Sequence, residues 1–288
     1  MFFGMTAYQI FWYFLIYSFI GWIIEVAFHA VTLGKVVNRG FLNGPICPVY
    51  GFGMLLVLMI NHLLPVSEKT LEVNIWLVFI SGALFTTIVE LIAGWFLDKI
   101  FHARWWDYSD MPLNLHGYIC LAFSIIWGIA VMIAVRFVHP LVNSFSPVII
   151  PARFGWWILG FLYTVVFVDL GITIATVRGL NKELKKIDEL RQILRKPSDK
   201  MSETITETTL KVATSVEKAQ IQAALGKAEL KDNLEDYKKN VAKKYAEAFA
   251  STKWGTKRLL RAFPHIKHSQ YAETLQELKK YISELKKH

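Results

Sequence analysis

Cysteine is nearly missing from this chain of 288 residues, which holds only Cys47 and Cys120. Two thiols cannot build a disulfide framework, and neither belongs to a Cys-x-x-Cys pair or to a His/Cys run with metal-ligand spacing. Both are therefore expected to be free thiols that pack first as small apolar groups, with no metal and no cofactor. The chain also lacks a Gly-x-x-x-x-Gly-Lys-Ser/Thr loop, so nothing in it cradles the phosphates of a nucleotide. No nucleophile–base pair is recognisable either. Charge is scarce through residue 179, where eight Lys/Arg balance eight Asp/Glu. The net charge of +9 belongs to the remainder, with 24 basic and 15 acidic residues. Those basic residues are interleaved with acids and carry no groove-reading motif, which excludes a nucleic-acid partner.

What is abundant is apolar surface. Hydrophobic residues make up 54% of the chain, gathered in blocks long enough to approach or exceed the ~20 residues that cross a hydrocarbon core. The blocks cover about residues 7–28, 49–64, 75–97, 118–138 and 155–177, the second being the shortest. The first follows the uncharged stretch MFFGMTAYQ and runs for a full span, so it is expected to be a retained helix, not a cleaved signal. The fold class expected is all-α: a polytopic membrane helix bundle of about five spans over residues 1–179, followed by a charged helical tail over 180–288.

Positive charge in short loops favours the cytoplasm. Lys35 and Arg39 lie in the first loop, Lys99 and Arg104 in the third, and Arg178, Lys182, Lys185 and Lys186 follow the fifth block. Lys69 is balanced by Glu68 and Glu72 in the second loop, and only the fourth, with Arg136 and Arg153, runs against the pattern. This places the N-terminus outside, the first and third loops and the tail inside, and the protein in the cell membrane. In the tail, Leu184, Ile187, Leu190 and Leu194 recur at helical spacing. So do Leu234, Tyr237, Val241 and Tyr245, and then Tyr271, Leu275, Leu278 and Leu285. These are amphipathic helices suited to a coiled or bundled extension, with breaks expected at KPSDKMSET (196–204) and near Pro264.

The two cysteines sit in similar phrases. Leu42-Asn43-Gly44-Pro45-Ile46-Cys47 and Leu115-His116-Gly117-Tyr118-Ile119-Cys120 agree at four of six positions. Each follows a block bearing one acid, Glu25 or Glu90, then a basic loop, and precedes another apolar block. The order predicts a parallel repeat of blocks one–two and three–four, a device common in transport proteins. Glu25, Glu90 and Asp169 each fall eight to ten residues before the first charged residue of the inner boundary, roughly 12–15 Å inside it at the helical rise. A carboxylate in lipid costs on the order of 2.5–3.5 kcal/mol, so each is expected to face the bundle or an aqueous cavity. One shared polar cavity is expected, lined by Glu25, Glu90 and Asp169 and floored by Asn43, Asn114 and His116. In the third loop, Arg104, Trp106, Asp107 and Tyr108 form a dense polar and aromatic surface, expected to serve in docking.

The stretches FLNGPICPVYGFG (41–53) and WWDYSDMPLNLHGYICL (105–121), with Glu25 and Glu90, resemble the bacterial family labelled putative ABC-transporter permeases of type IV, also called CmpB-like. The resemblance covers roughly residues 8–178 and leaves the tail outside. In that family the second phrase usually reads Asn-Gly-Arg-Ile-Cys, where this chain has His116 and Tyr118. The resemblance implies a permease-like subunit that draws on a separate ATPase subunit. Its small number of spans would also call for a homo-oligomer or a second permease. A membrane-anchored scaffold acting through its helical tail, and an intramembrane enzyme acting on a lipid or amphipathic substrate, are the readings from other classes.

Overall fold

The computed structural model describes residues 3–34, 36–66, 73–149, 152–211, 243–245, 247–248 and 254–284. Lys35, Glu68, Lys69 and Glu72 of the charge pattern, and Leu234, Tyr237, Val241 and Leu285 of the tail pattern, lie outside the described residues.

Helix α1 spans Ala7–Leu33. Thr6 caps it: its hydroxyl accepts the Gln9 amide while the Gln9 side chain accepts the Thr6 amide, satisfying donors the first turn leaves orphaned. Gly34 closes it at φ +63°. Helix α2, Pro48–Leu63, opens on Cys47 and Pro48, proline fitting a first-turn position whose N–H has no helical partner. Helix α3, Ile75–Phe101, is capped by Asn74, which accepts the Trp76 amide at 2.9 Å. A loop follows with three two-residue strands, β1 (Ala103–Arg104), β2 (Asn114–Leu115) and β3 (Ile119–Cys120), the last two pairing antiparallel. Helix α4, Leu121–Ile133, continues through a π-helical turn, Ala134–Val138, into α5, His139–Ile149.

Four helical stretches are long and apolar enough to cross a membrane: Ala7–Thr32, Ile75–Phe101, Leu121–Ser144 and Ala152–Gln192. The second expected span is the 16-residue α2, about 24 Å long at the helical rise and short of a ~30 Å core. Large apolar side chains such as Ile23, Phe28, Ile92, Trp95, Phe161 and Phe167 point outward from these helices, as expected where the solvent is lipid. Inward, Tyr13, Tyr17, Met54, Val57, Leu58, Val78 and Val131 pack as one buried cluster. The chain is a membrane protein built as an all-α bundle.

Helix α6 spans Ala152–Lys211, so the break expected at 196–204 does not occur. Pro197 removes one backbone hydrogen bond, a loss that can bend a helix without ending it. Helix α7, Trp254–Ala262, stops before Pro264 and leads through a turn to β4 (Lys267–His268) and to α8 (Ala272–Glu284).

Two compact units result: Met1–Val177 with Arg258–Gln270, and Arg178–Lys257 with Tyr271–His288. In the second, Leu184, Ile187, Leu275, Leu278 and Ile282 are buried, Thr274 donates to Asp188 at 2.9 Å, and Arg191 pairs with Glu273 and Glu277.

Candidate functional site

Glu25 lies on α1 facing α2. Its carboxylate accepts the Tyr50 hydroxyl at 2.6 Å and meets the Arg39 guanidinium at 3.4 Å, while Arg39 also donates to His29 Nδ1 at 2.9 Å. The Tyr50 ring reaches this position by lying over Gly21, where an added Cβ would fall 2.2 Å from Tyr50 Cγ. Any larger residue at 21 would push the hydroxyl away from the acid.

Glu90 lies on α3 and is only 8% exposed. Tyr108 donates to one carboxylate oxygen at 3.0 Å and the Trp127 indole to the other at 3.1 Å. No cation pairs with it among the described residues. The Tyr108 ring stacks on Phe123 with centroids 4.7 Å apart. The rings of Tyr50 and Trp127 meet edge to face at 5.4 Å, so the partners of the two carboxylates touch each other. Glu25 and Glu90 thus belong to one polar–aromatic centre between the α1–α2 and α3–α4 pairs.

Asp169 is engaged differently. One oxygen accepts the Asn43 backbone and side-chain N–H groups at 3.1 and 2.7 Å, and the other accepts the Gly44 N–H at 2.7 Å. Asn43 donates to Thr173 at 3.1 Å as well. The carboxylate therefore ties the first phrase to α6, its lone pairs occupied by amides that would otherwise be unpaired.

The second phrase is held within its own loop. Asn114 donates to the Ser109 and Met111 carbonyls at 3.1 and 2.8 Å and accepts the Gly117 N–H at 3.0 Å. His116 is exposed at φ +51°, and its carbonyl accepts from Arg104 at 3.1 Å. Gly117, at φ +75°, is hemmed so closely that a Cβ would lie 2.4 Å from Ser109 Oγ and 2.5 Å from Asp107 Oδ1. The described contacts thus bring Glu25 and Glu90 together, bring Asp169 to Asn43, and keep Asn114 and His116 among loop partners.

The four loop residues expected to dock a partner are all engaged. Arg104 bonds Asp98 at 2.9 Å and stacks 4.8 Å above the Tyr118 ring. Trp106 donates to the Tyr118 carbonyl at 2.9 Å. Tyr108 serves Glu90, and Asp107 accepts from Ser109 and from Lys267, each at 2.5 Å. Burial pushes the Asp107 carboxyl up, but the Lys267 and Ser109 bonds outweigh it and hold the group below the usual carboxylate range. Lys267 belongs to β4, which pairs antiparallel with β1, Ala103 opposite His268 and Arg104 opposite Lys267.

The sequence reading passed over this contact, and with it Tyr50, Trp127 and Arg258, and took Arg39 only as a loop charge that sets orientation. Tyr50 lies in the quoted first stretch beside the residues weighed there. Leu259, Phe263 and Ile266 recur at three- and four-residue spacing, a signal for one apolar face.

A family model described as "Putative ABC-transporter type IV" matches residues 12–174. No curated protein matches the chain, and no solved structure does.

Proposed function

Because the chain belongs to the "Putative ABC-transporter type IV" family, we propose that it acts as the permease-like membrane subunit of a transporter whose ATPase is a separate chain. The observation that carries this reading is the pair of carboxylates, Glu25 and Glu90, brought together inside apolar helices by Tyr50 and Trp127. Ionisable side chains in such helices mark pathways because their desolvation must be offset by partners or water. In this reading Glu25 and Glu90 hold or pass the substrate. Asp169 and Asn43 position the first loop, and the first and third loops face the cytoplasm with the tail. The N-terminus is then outside, with α2 completing the bundle.

The same arrangement supports a parallel repeat of α1–α2 and α3–α4. In each pair an acid on the first helix bonds an aromatic donor on the second, Glu25 with Tyr50 and Glu90 with Trp127.

The test is affinity purification from native membranes followed by ATP hydrolysis measurements on whatever assembly is recovered. An ATPase subunit is expected to co-purify. Glu25→Gln and Glu90→Gln keep the size of the side chains and remove their charge; they are expected to preserve assembly and to lower the coupled hydrolysis by about tenfold or more, a loss of ~1.4 kcal/mol at the limiting step. Full hydrolysis in both variants would remove the carboxylates from the mechanism. Recovery of other proteins bound through the tail, without an ATPase, would favour the scaffold reading.

A further inference from the structure

The surface made by the first and third loops is already occupied by a segment of the same chain. Arg258 reaches the first loop, its guanidinium donating to the Leu42, Phe41 and Gly40 carbonyls at 3.2, 3.3 and 3.5 Å. Phe263 meets the buried Trp105 ring edge to face at 6.3 Å, and Trp105 in turn contacts Phe41 and Phe101. Leu259, Leu260 and Ile266 are buried as well. Beyond them β4 adds to β1, the Ser269 amide donates to the His102 carbonyl at 2.9 Å, and Lys267 reaches Asp107. A guanidinium contact from α7, an aromatic pocket for Phe263 and strand addition carrying an ion pair are devices by which proteins hold peptide segments.

We propose that Arg258–Gln270 is a tethered peptide ligand, a reversible plug seated on the first and third loops of its own chain, which controls access to the polar centre behind them. The covered loops hold partners of that centre: Tyr108 follows Asp107 and bonds Glu90, and Arg39 precedes Gly40 and meets Glu25. Several of the contacts suit a ligand that leaves. Among the described residues the Arg258 guanidinium is bonded to neutral carbonyls and its Nε has no hydrogen-bond partner, and Asp169 attracts it without forming an ion pair. Lys267, 61% exposed, leaves its own end of the Asp107 pair open to solvent. The paired strands are two residues long. The identity of the centre being gated rests on the transporter reading; the binding of the segment does not.

The test uses the full chain in lipid nanodiscs and follows backbone hydrogen exchange. If the plug opens, amides of 103–108 and 263–270 exchange at least about tenfold faster than those in the middle of α3. Lys267→Glu, which sets like charge against Asp107 at an exposed position, should accelerate those segments alone. A lock completes the design: with Cys47 and Cys120 replaced by Ala, Ala103→Cys and His268→Cys place two thiols at paired positions, and oxidation should slow both segments to the α3 rate until reduction restores them. Exchange at the α3 rate in the unlocked protein would overturn the proposal, as would a disulfide that forms between two chains instead of within one. None of these readouts needs an ATPase or a substrate, so a failed co-purification would count against the transporter reading and leave the plug standing.

Discussion

Among the described residues Glu90 has two neutral donors and no cation, whereas Glu25 has a hydroxyl and a guanidinium. The difference matters because a carboxylate beside a guanidinium has its charge balanced locally, while one held by Tyr and Trp alone has hydrogen bonds but no counter-charge to offset its desolvation. Of the two, Glu90 is therefore the carboxylate whose charge is met by neutral donors alone among the described residues. At the same scale His268 reports on the docked segment. Its Nδ1 accepts the Gln270 amide at 3.2 Å, and burial, then the nearby His102, pull its pKa down to about 4, against a weaker upward pull from Asp98. A base whose pKa is depressed by docking binds protons more readily when released. The docked state keeps its full stability above about 6.5, the usual histidine value, and loses it as pH falls from there towards 4. Hydrogen exchange of 263–270 should therefore quicken between pH 6.5 and pH 4, after correction for the intrinsic pH dependence of exchange. His268→Gln, which retains an acceptor and cannot titrate, should abolish that excess.

At the scale of elements, the two helix pairs solve the same problem with different side chains. Three residues after Cys47 stands Tyr50, which donates to Glu25; three residues after Cys120 stands Phe123, which cannot donate. The missing hydroxyl comes from Tyr108, laid flat on the Phe123 ring. Tyr108→Phe should leave one oxygen of a buried acid without its donor and destabilise the bundle by about 1–3 kcal/mol, read as a lower thermal midpoint in detergent. Adding Phe123→Tyr should restore a part of that loss if the two positions are equivalent, and a double variant no more stable than the single one would argue against the repeat. The phrases and acids that frame this arrangement were legible in the sequence because apolar blocks, glycine turns and isolated carboxylates are local signals. Their partners were not: Tyr50 and Trp127 look like ordinary interfacial or packing aromatics until the helices are paired, and Tyr108 reads from the sequence as part of a docking surface, not as a donor to Glu90. Asp169 was legible as an acid in an apolar block; its amide partners depend on where the first loop returns and could not be read from spacing.

Over the whole molecule, the change in composition near residue 179 marks the end of the apolar part of α6 but conceals that the chain comes back. Charge and periodicity make 180–288 look like one continuous tail, whereas Arg258–Gln270 belongs with Met1–Val177. The return is carried by a few residues, Arg258, Leu259, Leu260, Phe263, Ile266 and Lys267, too short a run to alter any average over the tail. Two truncations separate the roles. A stop after Gln270 keeps the segment, a stop after Lys257 removes it, and both lack α8, so their difference isolates 258–270. The shorter protein would expose Leu42, Trp105 and Phe101, now buried, and would forfeit the burial of Leu259, Leu260, Phe263 and Ile266, each worth roughly 1.5–3 kcal/mol when fully transferred from water. Both proteins should insert into membranes, because the spans are unchanged. The shorter one should melt lower by about 2–4 °C for each kcal/mol lost and aggregate sooner in mild detergent. Equal thermal midpoints and equal monodispersity would mean that the segment contributes nothing to the stability of the membrane unit.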